Sequence, residues 1–429
     1  MVTRREWLKL SVAAGVGLLG CSAENDNDGG CPPLDPDHAV ATFEVDDQSA
    51  IVSAYAAGGG LATVTLTLPD GSERNYGPLE LAIDRGNTGE LVLDNLMPNT
   101  SYSYVLAFEG GTVSSTCHFR TAPVPTESAD YSLLFSADID VCPEFDSPIF
   151  DAMARTDAAF FVCLGDWPYA DNPPGPETLA EYRARYKQVR GAGKVQRLVA
   201  RMPTYAIYDD HEVWNNWDGA LRQSQPERVQ MALRAWDEWF PLRSDNVRYR
   251  KWKWGRDTEL FLLDTRLYRS ANADPDGPNK TMLGAAQRDW LLNGLETSTA
   301  AFKLIFTTVP LKFARSLAPF PDDHWGVFTT ERDAIWAYIR DNNISGVVFL
   351  TADQHWFAAH HFTEGHIEFQ VGPLARGIPE LPPAGPEVVA RSAQYNFGEI
   401  RIRPGSPPEL QFNCRDANGE LIYSETILG

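Results

Sequence analysis

Hydrophobic and polar positions alternate through the first part of the chain in the manner of β-strands. Apolar and β-branched residues occupy every second position, or run together, over 40–45, 62–67 and 102–108. Glycine-rich turns separate these segments, and no helical period is visible among them. The pattern predicts an all-β sandwich domain over residues 37–125.

From about Tyr131 the pattern changes to apolar runs that alternate with helical segments, which is typical of an α/β domain. The helical spacing of apolar residues predicts helices over 177–190, around 229–240 and around 335–341, the last of them ending at Asn342-Asn343. The sequence therefore predicts an α/β (α+β) domain over residues 126–429.

Five apolar runs of this second domain end in aspartate. Continuous apolar runs indicate buried strands, and functional sites in α/β sheets gather at the carboxyl ends of such strands. The aspartates are Asp138, Asp166, the pair Asp209-Asp210, Asp264 and Asp353. A single aspartate after a strand is usually a turn or a helix cap. Five in one domain, with two histidines and a tyrosine close by in sequence, indicate a site.

So many carboxylates share a small space only when cations neutralise them. Oxygen-rich ligands with an imidazole suit hard or borderline ions such as iron, manganese, calcium or magnesium. Two such ions side by side would stabilise both the attacking and the leaving oxygen of a phosphoryl displacement. The residue types therefore predict two-metal hydrolysis.

Four segments carry a family resemblance, and two weaker matches lie between them. The four are Gly165–Tyr169 (GDWPY), Asp209–Asn216 (DDHEVWNN), Leu263–Arg269 (LDTRLYR) and Ala352–His355 (ADQH). In this order they resemble the motifs of PhoD-like alkaline phosphatases and phosphodiesterases of the metallophosphoesterase superfamily. The resemblance implies a four-layer core, a two-sheet β-sandwich flanked by helices. The strands before Ala122 resemble a fibronectin type III-like or immunoglobulin-like sandwich.

The resemblance also implies metal ligands. Asp166 bridges two metals, Tyr169 binds the first as a phenolate, and His355 completes that first site. Asp210 and Asp353 hold the second metal. Well-known members carry cysteine where this chain has Asp138. Aspartate is the usual ligand across the wider superfamily, so the exchange leaves a metal site but opens the identity of the first metal. Cys142 is the alternative ligand at this point.

Three further roles follow from the resemblance. His211 faces the phosphate and either stabilises the transition state or protonates the leaving oxygen. Arg266 contacts the substrate phosphate. Asn216, or its neighbour Asn215, is a further metal ligand or a hydrogen-bond donor to one.

The implied cofactors are two or more metal ions, Fe³⁺ with Ca²⁺ or with another divalent ion (Mn²⁺, Zn²⁺ or Mg²⁺). The implied activity is phosphoester hydrolysis, by in-line attack of a two-metal-activated hydroxide on phosphorus. The sequence leaves monoesters and diesters open as substrates. The alternative is a surface lipoprotein with a catalytically silent fold that acts as a binding module, against which the retained set of ligand-type residues argues.

The N-terminus predicts export. Residues 1–21 combine an arginine pair, Arg4-Arg5, with a short apolar run that ends at Cys21, and resemble a twin-arginine lipoprotein signal peptide. Cys21 is the predicted lipidation site, and residues 22–36 are a polar, flexible tether. We expect a periplasmic or extracytoplasmic protein that meets the membrane only through this anchor.

The net charge limits the classes of binding partner, and the number of cysteines limits the disulfide pairing. The 37 basic and 58 acidic residues give a net charge of −21, which disfavours nucleic acid as a partner other than as substrate. We expect a monomer that binds a phosphoester substrate. Of six cysteines, five remain if Cys21 is lipidated, so at least one thiol stays unpaired.

Overall fold

The computed structural model describes residues 36–141, 145, 147–244, 247–312, 322–381 and 384–429. Twenty strands lie in these residues. The first ten are β1 (His38–Phe43), β2 (Ala50–Ala56), β3 (Gly60–Thr67), β4 (Glu73–Leu81), β5 (Thr88–Leu93), β6 (Ser101–Phe108), β7 (Cys117–Arg120), β8 (Tyr131–Ser136), β9 (Ala158–Cys163) and β10 (Thr204–Ala206). The others are β11 (Arg250–Trp254), β12 (Thr258–Leu262), β13 (Phe302–Phe306), β14 (Val347–Thr351), β15 (Phe357–His361), β16 (Ile367–Gln370), β17 (Val388–Ser392), β18 (Asn396–Arg403), β19 (Glu409–Asp416) and β20 (Leu421–Leu428).

The described part of the chain also contains seven α-helices, and the three helices predicted from sequence are among them. They are α1 (Ile149–Ala154), α2 (Leu179–Arg190), α3 (Gly193–Val199), α4 (Gly219–Ser224), α5 (Pro226–Trp239), α6 (Gly284–Thr297) and α7 (Thr329–Asp341). Helix α2 begins with a capping box, in which Thr178 accepts from the amide of Glu181 and the Glu181 carboxylate accepts in return. Asn342 ends α7, as predicted.

Two large sheets pack face to face. One has nine strands in the order β20-β19-β18-β8-β9-β10-β1-β2-β5, and the other has seven in the order β11-β12-β13-β14-β16-β15-β17. Phe135 of the first sheet and Phe306 of the second meet with ring centroids 6.1 Å apart. Alternate residues of the second sheet point the other way, so that Phe261 packs with α6 and α7 instead. The result is a mixed α/β fold with several sheets.

The predicted N-terminal sandwich shares a sheet with the rest of the protein. A four-stranded sheet, β4-β3-β6-β7, packs over β1, β2 and β5 around a separate apolar core. However, β1 also pairs in parallel with β10, with Phe43 opposite Thr204. The three N-terminal strands therefore extend the nine-stranded sheet. The boundaries of the domains remain a prediction.

This shared position explains why β1 and β2 are buried on both faces. Val40 and Val52 point into the sandwich core, whereas Phe43 and Tyr55 point towards the helices that cover the large sheet. Tyr55 stacks on Trp239 of α5, with ring centroids 5.3 Å apart. Such strands show continuous apolar runs rather than alternation.

The N-terminal predictions fall on residues that the structure does not describe. Signal residues 1–21, Cys21, nearly all of the tether, and Cys142 lie outside the described ranges. Within those ranges, no helix has both the length and the apolar character needed to cross a bilayer. The described cysteines, Cys117, Cys163 and Cys414, are buried and free, as the odd count suggested for at least one thiol.

Candidate metal centre

The predicted metal ligands lie on loops that follow four parallel strands. Asp138 follows β8, Asp166 follows β9, and Asp210 follows β10, all in the nine-stranded sheet. Asp353 and His355 follow β14 in the facing sheet. Because the sheets pack face to face, the carboxyl ends of their strands bring these side chains together.

The ligand-type atoms form three overlapping groups, within each of which the atoms lie within 4.8 Å of one another. The groups are Asp138/Asp166/His355, Asp166/Asp210/His211 and Asp209/Asp210/Asp353. Asp166 and Asp210 each belong to two groups. Such sharing is the arrangement expected of carboxylates that lie between two cations.

Backbone conformation in these loops is unusual. Asp138, Asp166, Asp353, His355 and Asn216 all have positive φ, between 55° and 72°. Non-glycine residues adopt this left-handed region infrequently, at a cost that surrounding structure must offset, and they cluster at functional sites. The loops are therefore shaped to point side chains inward.

One edge of the cluster joins a phenol, an imidazole and a carboxylate. The Tyr169 hydroxyl lies 2.8 Å from His355 Nε2 and 3.2 Å from Asp138 Oδ1. His355 Nδ1 lies 2.7 Å from the Gly377 carbonyl, which only accepts, so Nδ1 carries the proton and Nε2 keeps its lone pair. Burial lowers the pKa of His355 to about 3, with the Arg376 cation acting in the same direction. The neutral ring therefore directs its Nε2 lone pair towards Tyr169 and Asp138.

His211 has the opposite electrostatic setting. Its Nδ1 lies 2.8 Å from Asp171 Oδ1, and Asp171 Oδ2 accepts from the Asn215 amide at 2.7 Å. Burial alone would lower the pKa of His211, but the carboxylates of Asp171 and Asp210 raise it to about 9. At neutral pH the ring is an imidazolium with its Nε2 proton available.

The carboxylates of the cluster lack enough positive charge of their own. Burial, assisted by neighbouring carboxylates, raises the pKa of Asp138 to about 8 and those of Asp166 and Asp353 well above the usual range. Asp138 Oδ2 and Asp210 Oδ1 are buried and accept no hydrogen bond from any residue that the structure describes, although Arg266 Nη2 lies 3.6 Å from Asp210 Oδ1 in an ion pair. Unsatisfied carboxylate oxygens beside an imidazole lone pair and a phenol are a donor set that fits metal cations.

Arg266 supplies part of the missing charge from inside the protein. Its side chain is fully buried and makes two hydrogen bonds to the Asp209 carboxylate, at 2.6 and 2.9 Å. A third nitrogen lies 2.7 Å from Asp323 Oδ2, in an ion pair. Contact between Arg266 and a substrate phosphate, implied by the family resemblance, remains a prediction, and this burial argues against it.

Other predicted residues take supporting positions. The main-chain amide of Asn216 donates to Asp210 Oδ2 at 2.5 Å. The role of the Asn216 side chain as a metal ligand remains a prediction. Asp264 accepts from the amides of Arg266 and Leu267, so this strand-end aspartate is a turn residue. The indoles of Trp167 and Trp356 are buried, with 1% and 2% exposure, whereas Trp214 is 38% exposed.

Sequence reasoning missed three charged residues of the site: Asp171, Asp323 and Arg376. Arg376 follows strand β16, and therefore carries the same strand-end signal as the aspartates with the opposite charge. Its guanidinium lies 4.1 Å from the Tyr169 ring centroid and donates to Asp140 at 2.6 Å and to Asn172 at 2.9 Å. Its side chain is 21% exposed, so it faces the cluster from the solvent side.

Solved structures resemble this arrangement of sheets. A structure of PhoD matches with a TM-score of 0.78 and 20% identity, covering 92% of this chain and 90% of that one. A purple acid phosphatase from yellow lupin seeds matches with a TM-score of 0.69 and 14% identity, covering 92% of this chain and 74% of that one. These two matches show that the chain shares their fold.

Sequence comparison is more specific. Residues 141–397 match the family model described as PhoD-like phosphatase. Alkaline phosphatase D of Bacillus subtilis is 27% identical over 322 residues, which cover 65% of this chain and 54% of that protein. The chain thus spans about half the length of this relative. It belongs to the PhoD-like phosphatase family, which confirms the resemblance inferred from the motifs.

Proposed function

We propose that the protein is a metal-dependent phosphoester hydrolase. The observation that carries the proposal is the position of Asp166, which belongs to two of the three groups of ligand-type atoms at the strand ends. Membership of the PhoD-like phosphatase family supports the same reaction class. A binding protein that had lost turnover would not need Asp171 to hold His211 in a fixed orientation.

The described residues suggest how two metals would be held. Asp138, Asp166, Tyr169 and His355 would form the first site. Asp166, Asp210 and Asp353 would contribute to the second, with Asn216 beside them. The phenol favours Fe³⁺ at the first site, and the oxygen-rich second site suits Ca²⁺ or another divalent ion. When bound, the metals would activate water and stabilise negative charge at phosphorus.

His211 would act on the leaving group. Asp171 fixes the ring through Nδ1, so Nε2 is the nitrogen left to donate a proton to the leaving oxygen. The raised pKa of His211 keeps that proton in place at neutral pH. We assign the phosphate contact to Arg376, whose side chain is partly exposed, in place of Arg266, because the Arg266 side chain is fully buried.

The variant Asp166→Asn tests the proposal. Residues that only support metal ligands typically contribute 10–100-fold to activity or metal affinity, so loss of a shared ligand should cost more than about a hundredfold. Hydrolysis of p-nitrophenyl phosphate and bis-p-nitrophenyl phosphate, together with elemental analysis, gives the measurement. Asp157→Asn is the matched control, because Asp157 is an exposed aspartate that precedes β9, at the end opposite Asp166. If hydrolysis survives in Asp166→Asn, the assignment is wrong.

Export and anchoring complete the proposal. Residues 1–21 support passage by the twin-arginine route, with lipid attached at Cys21 and a location at the periplasmic or extracytoplasmic membrane surface. Replacing Cys21 with alanine should release the protein from washed membranes without changing its activity. Membrane association that persists in this variant would refute the anchor.

A further inference from the structure

Trp214 is an exposed aromatic residue on the turn that carries His211. The amides of Val213 and Trp214 both donate to the Asp210 carbonyl, at 2.9 and 2.8 Å, so the chain makes a helical turn after Asp210. Residues three apart on such a turn are neighbours, with Cβ atoms about 5–6 Å apart. Trp214 therefore lies on the same helical turn as His211, the residue proposed to serve the leaving group.

One carboxylate fixes the position of this turn relative to the His211 ring. Asp171 uses one carboxylate oxygen for His211 Nδ1 and the other for the Asn215 amide, at 2.8 and 2.7 Å. The same carboxylate thus fixes the ring and the backbone next to Trp214. A shift of the turn relative to the ring would break one of these two hydrogen bonds.

The indole itself is held in place although it is 38% exposed. The Arg228 guanidinium lies 4.7 Å from the ring centroid, and Arg228 is fixed by the Pro176 carbonyl and the Gln225 side chain at 2.7 and 2.8 Å. Gly175 also abuts the indole, since a Cβ there would lie 2.9 Å from Cζ3. A singly exposed apolar side chain is ordinary, but one fixed on a catalytic turn has a defined orientation.

We infer that Trp214 is a specificity-determining residue that stacks on a planar ring in the leaving group of the phosphoester. The inference rests on the proposed function and names its substrate class: phosphoesters whose alcohol part carries an aryl ring or a nucleobase. A flat indole accepts any planar π-face, and such stacking typically contributes enough to change binding about tenfold or more. Esters of small aliphatic alcohols gain nothing from it.

The test compares three monoesters: p-nitrophenyl phosphate, adenosine 5′-monophosphate and glycerol 2-phosphate. In Trp214→Ala, kcat/KM should fall about tenfold for a ring-bearing ester, mainly through KM, and change less than about twofold for glycerol 2-phosphate. Trp214→Phe should keep most of the preference. Loss with only the aryl ester, or only the nucleotide, identifies which ring source the site takes. Trp290→Phe is the control, since Trp290 packs on Tyr249 and Phe261 away from the catalytic turn.

Two outcomes separate this inference from the proposed function. An equal loss of kcat/KM for all three esters in Trp214→Ala would overturn the stacking role, because it would show that the residue only shapes the turn. If the wild-type protein hydrolyses none of them, the proposed function fails. The stacking role is then tested by measuring tryptophan fluorescence during titration with adenosine 5′-monophosphate. Quenching that occurs in the wild type and not in Trp214→Phe supports stacking. Equal quenching in both proteins refutes it.

Discussion

At the scale of single residues, burial separates two arginines that lie close to the same acidic cluster. Arg266 is enclosed and neutralises Asp209 and Asp323, whereas Arg376 covers Tyr169 from the solvent side. Loss of a buried charge lowers the stability of the fold, because its partners are then left as unpaired charges inside the protein. A partly exposed charge at the entrance to the site can act on a ligand instead.

We therefore expect replacement of Arg266 to affect mainly stability, and replacement of Arg376 to affect mainly activity. Arg266→Met leaves buried carboxylates unpaired and should lower the free energy of unfolding by about 3–5 kcal/mol. Arg376→Met removes an ion pair with Asp140 and should cost less stability than Arg266→Met, while it lowers kcat/KM by about tenfold to a hundredfold, as expected for loss of a charged hydrogen bond. Thermal melts and steady-state kinetics check both.

Arg185→Met provides the control for Arg376, because Arg185 donates to the carbonyl of Asn172 on the same loop without facing Tyr169. Its kcat/KM should match the wild type. A wild-type kcat/KM in Arg376→Met, or a wild-type melting temperature in Arg266→Met, would contradict the assignment.

At the scale of elements, the acidic cluster depends on loops that approach one another closely. Gly372 follows β16 with φ +108°, and a Cβ at this position would lie 2.5 Å from Asp138 Oδ2. A loop that follows a strand of the seven-stranded sheet thus abuts Asp138, a predicted ligand that follows a strand of the nine-stranded sheet. Glycine is needed here both for conformation and for space.

Gly372→Ala should therefore displace Asp138 and lower both metal content and activity, although no ligand is removed. Gly365→Ala is the matched control, because Gly365 has φ +89° but no atom of the described residues lies within 4 Å of the place that a methyl group would take. We expect the control to lose some stability and to keep its metals, as measured by elemental analysis. Equal metal loss in both variants would mean that backbone strain, not the contact with Asp138, is responsible.

Sequence pattern predicted much at this scale, for physical reasons. A buried strand must be apolar. The continuous apolar runs of β8, β9 and β14, and the aspartates that follow them, could therefore be predicted from the sequence. The left-handed conformations and the pairing of β1 with β10 were not, because they depend on contacts between segments far apart in sequence. The partner of His211 was missed for the same reason, since Asp171 is an ordinary loop aspartate until the chain folds.

At the scale of the whole molecule, β1 and β2 join the N-terminal sandwich to the rest of the protein, because they lie in the nine-stranded sheet and contribute aromatic side chains to its main core. Phe43 of β1 meets Phe240 after α5, and Glu44 forms a buried ion pair with Arg250 of β11 at 2.5 Å. Contacts of this kind couple the stability of the two parts.

We expect one cooperative unfolding transition in calorimetry, observed together by tryptophan fluorescence and loss of activity. A protein lacking residues 37–125 should be insoluble, because the edge of β10 and the helices against Tyr55 would be uncovered. Two resolved transitions, or a soluble and active truncated protein, would show that the parts fold independently.

Removal of metal should destabilise the protein in a pH-dependent manner. Without cations, the raised pKa of Asp138, about 8, means that the folded state holds protons that the unfolded chain releases near pH 4. Stability of the metal-free protein should therefore fall as pH rises from about 4 through about 8. Bound cations replace those protons, so the melting-temperature gap between loaded and chelated protein should widen as the pH rises from about 4 to about 8. A constant gap would contradict this linkage.

The left-handed residues also limit how this centre can change during evolution. Asparagine and aspartate, with histidine, are the non-glycine residues that most readily accept that conformation, and they are also suitable metal ligands. A mutation at Asp138, Asp166, Asp353 or His355 must satisfy both demands at once, which leaves few viable replacements. Tyr169 and Asp210 are absent from the positive-φ set and are free of the backbone demand. Adaptation to a different metal would therefore start most easily at these two positions.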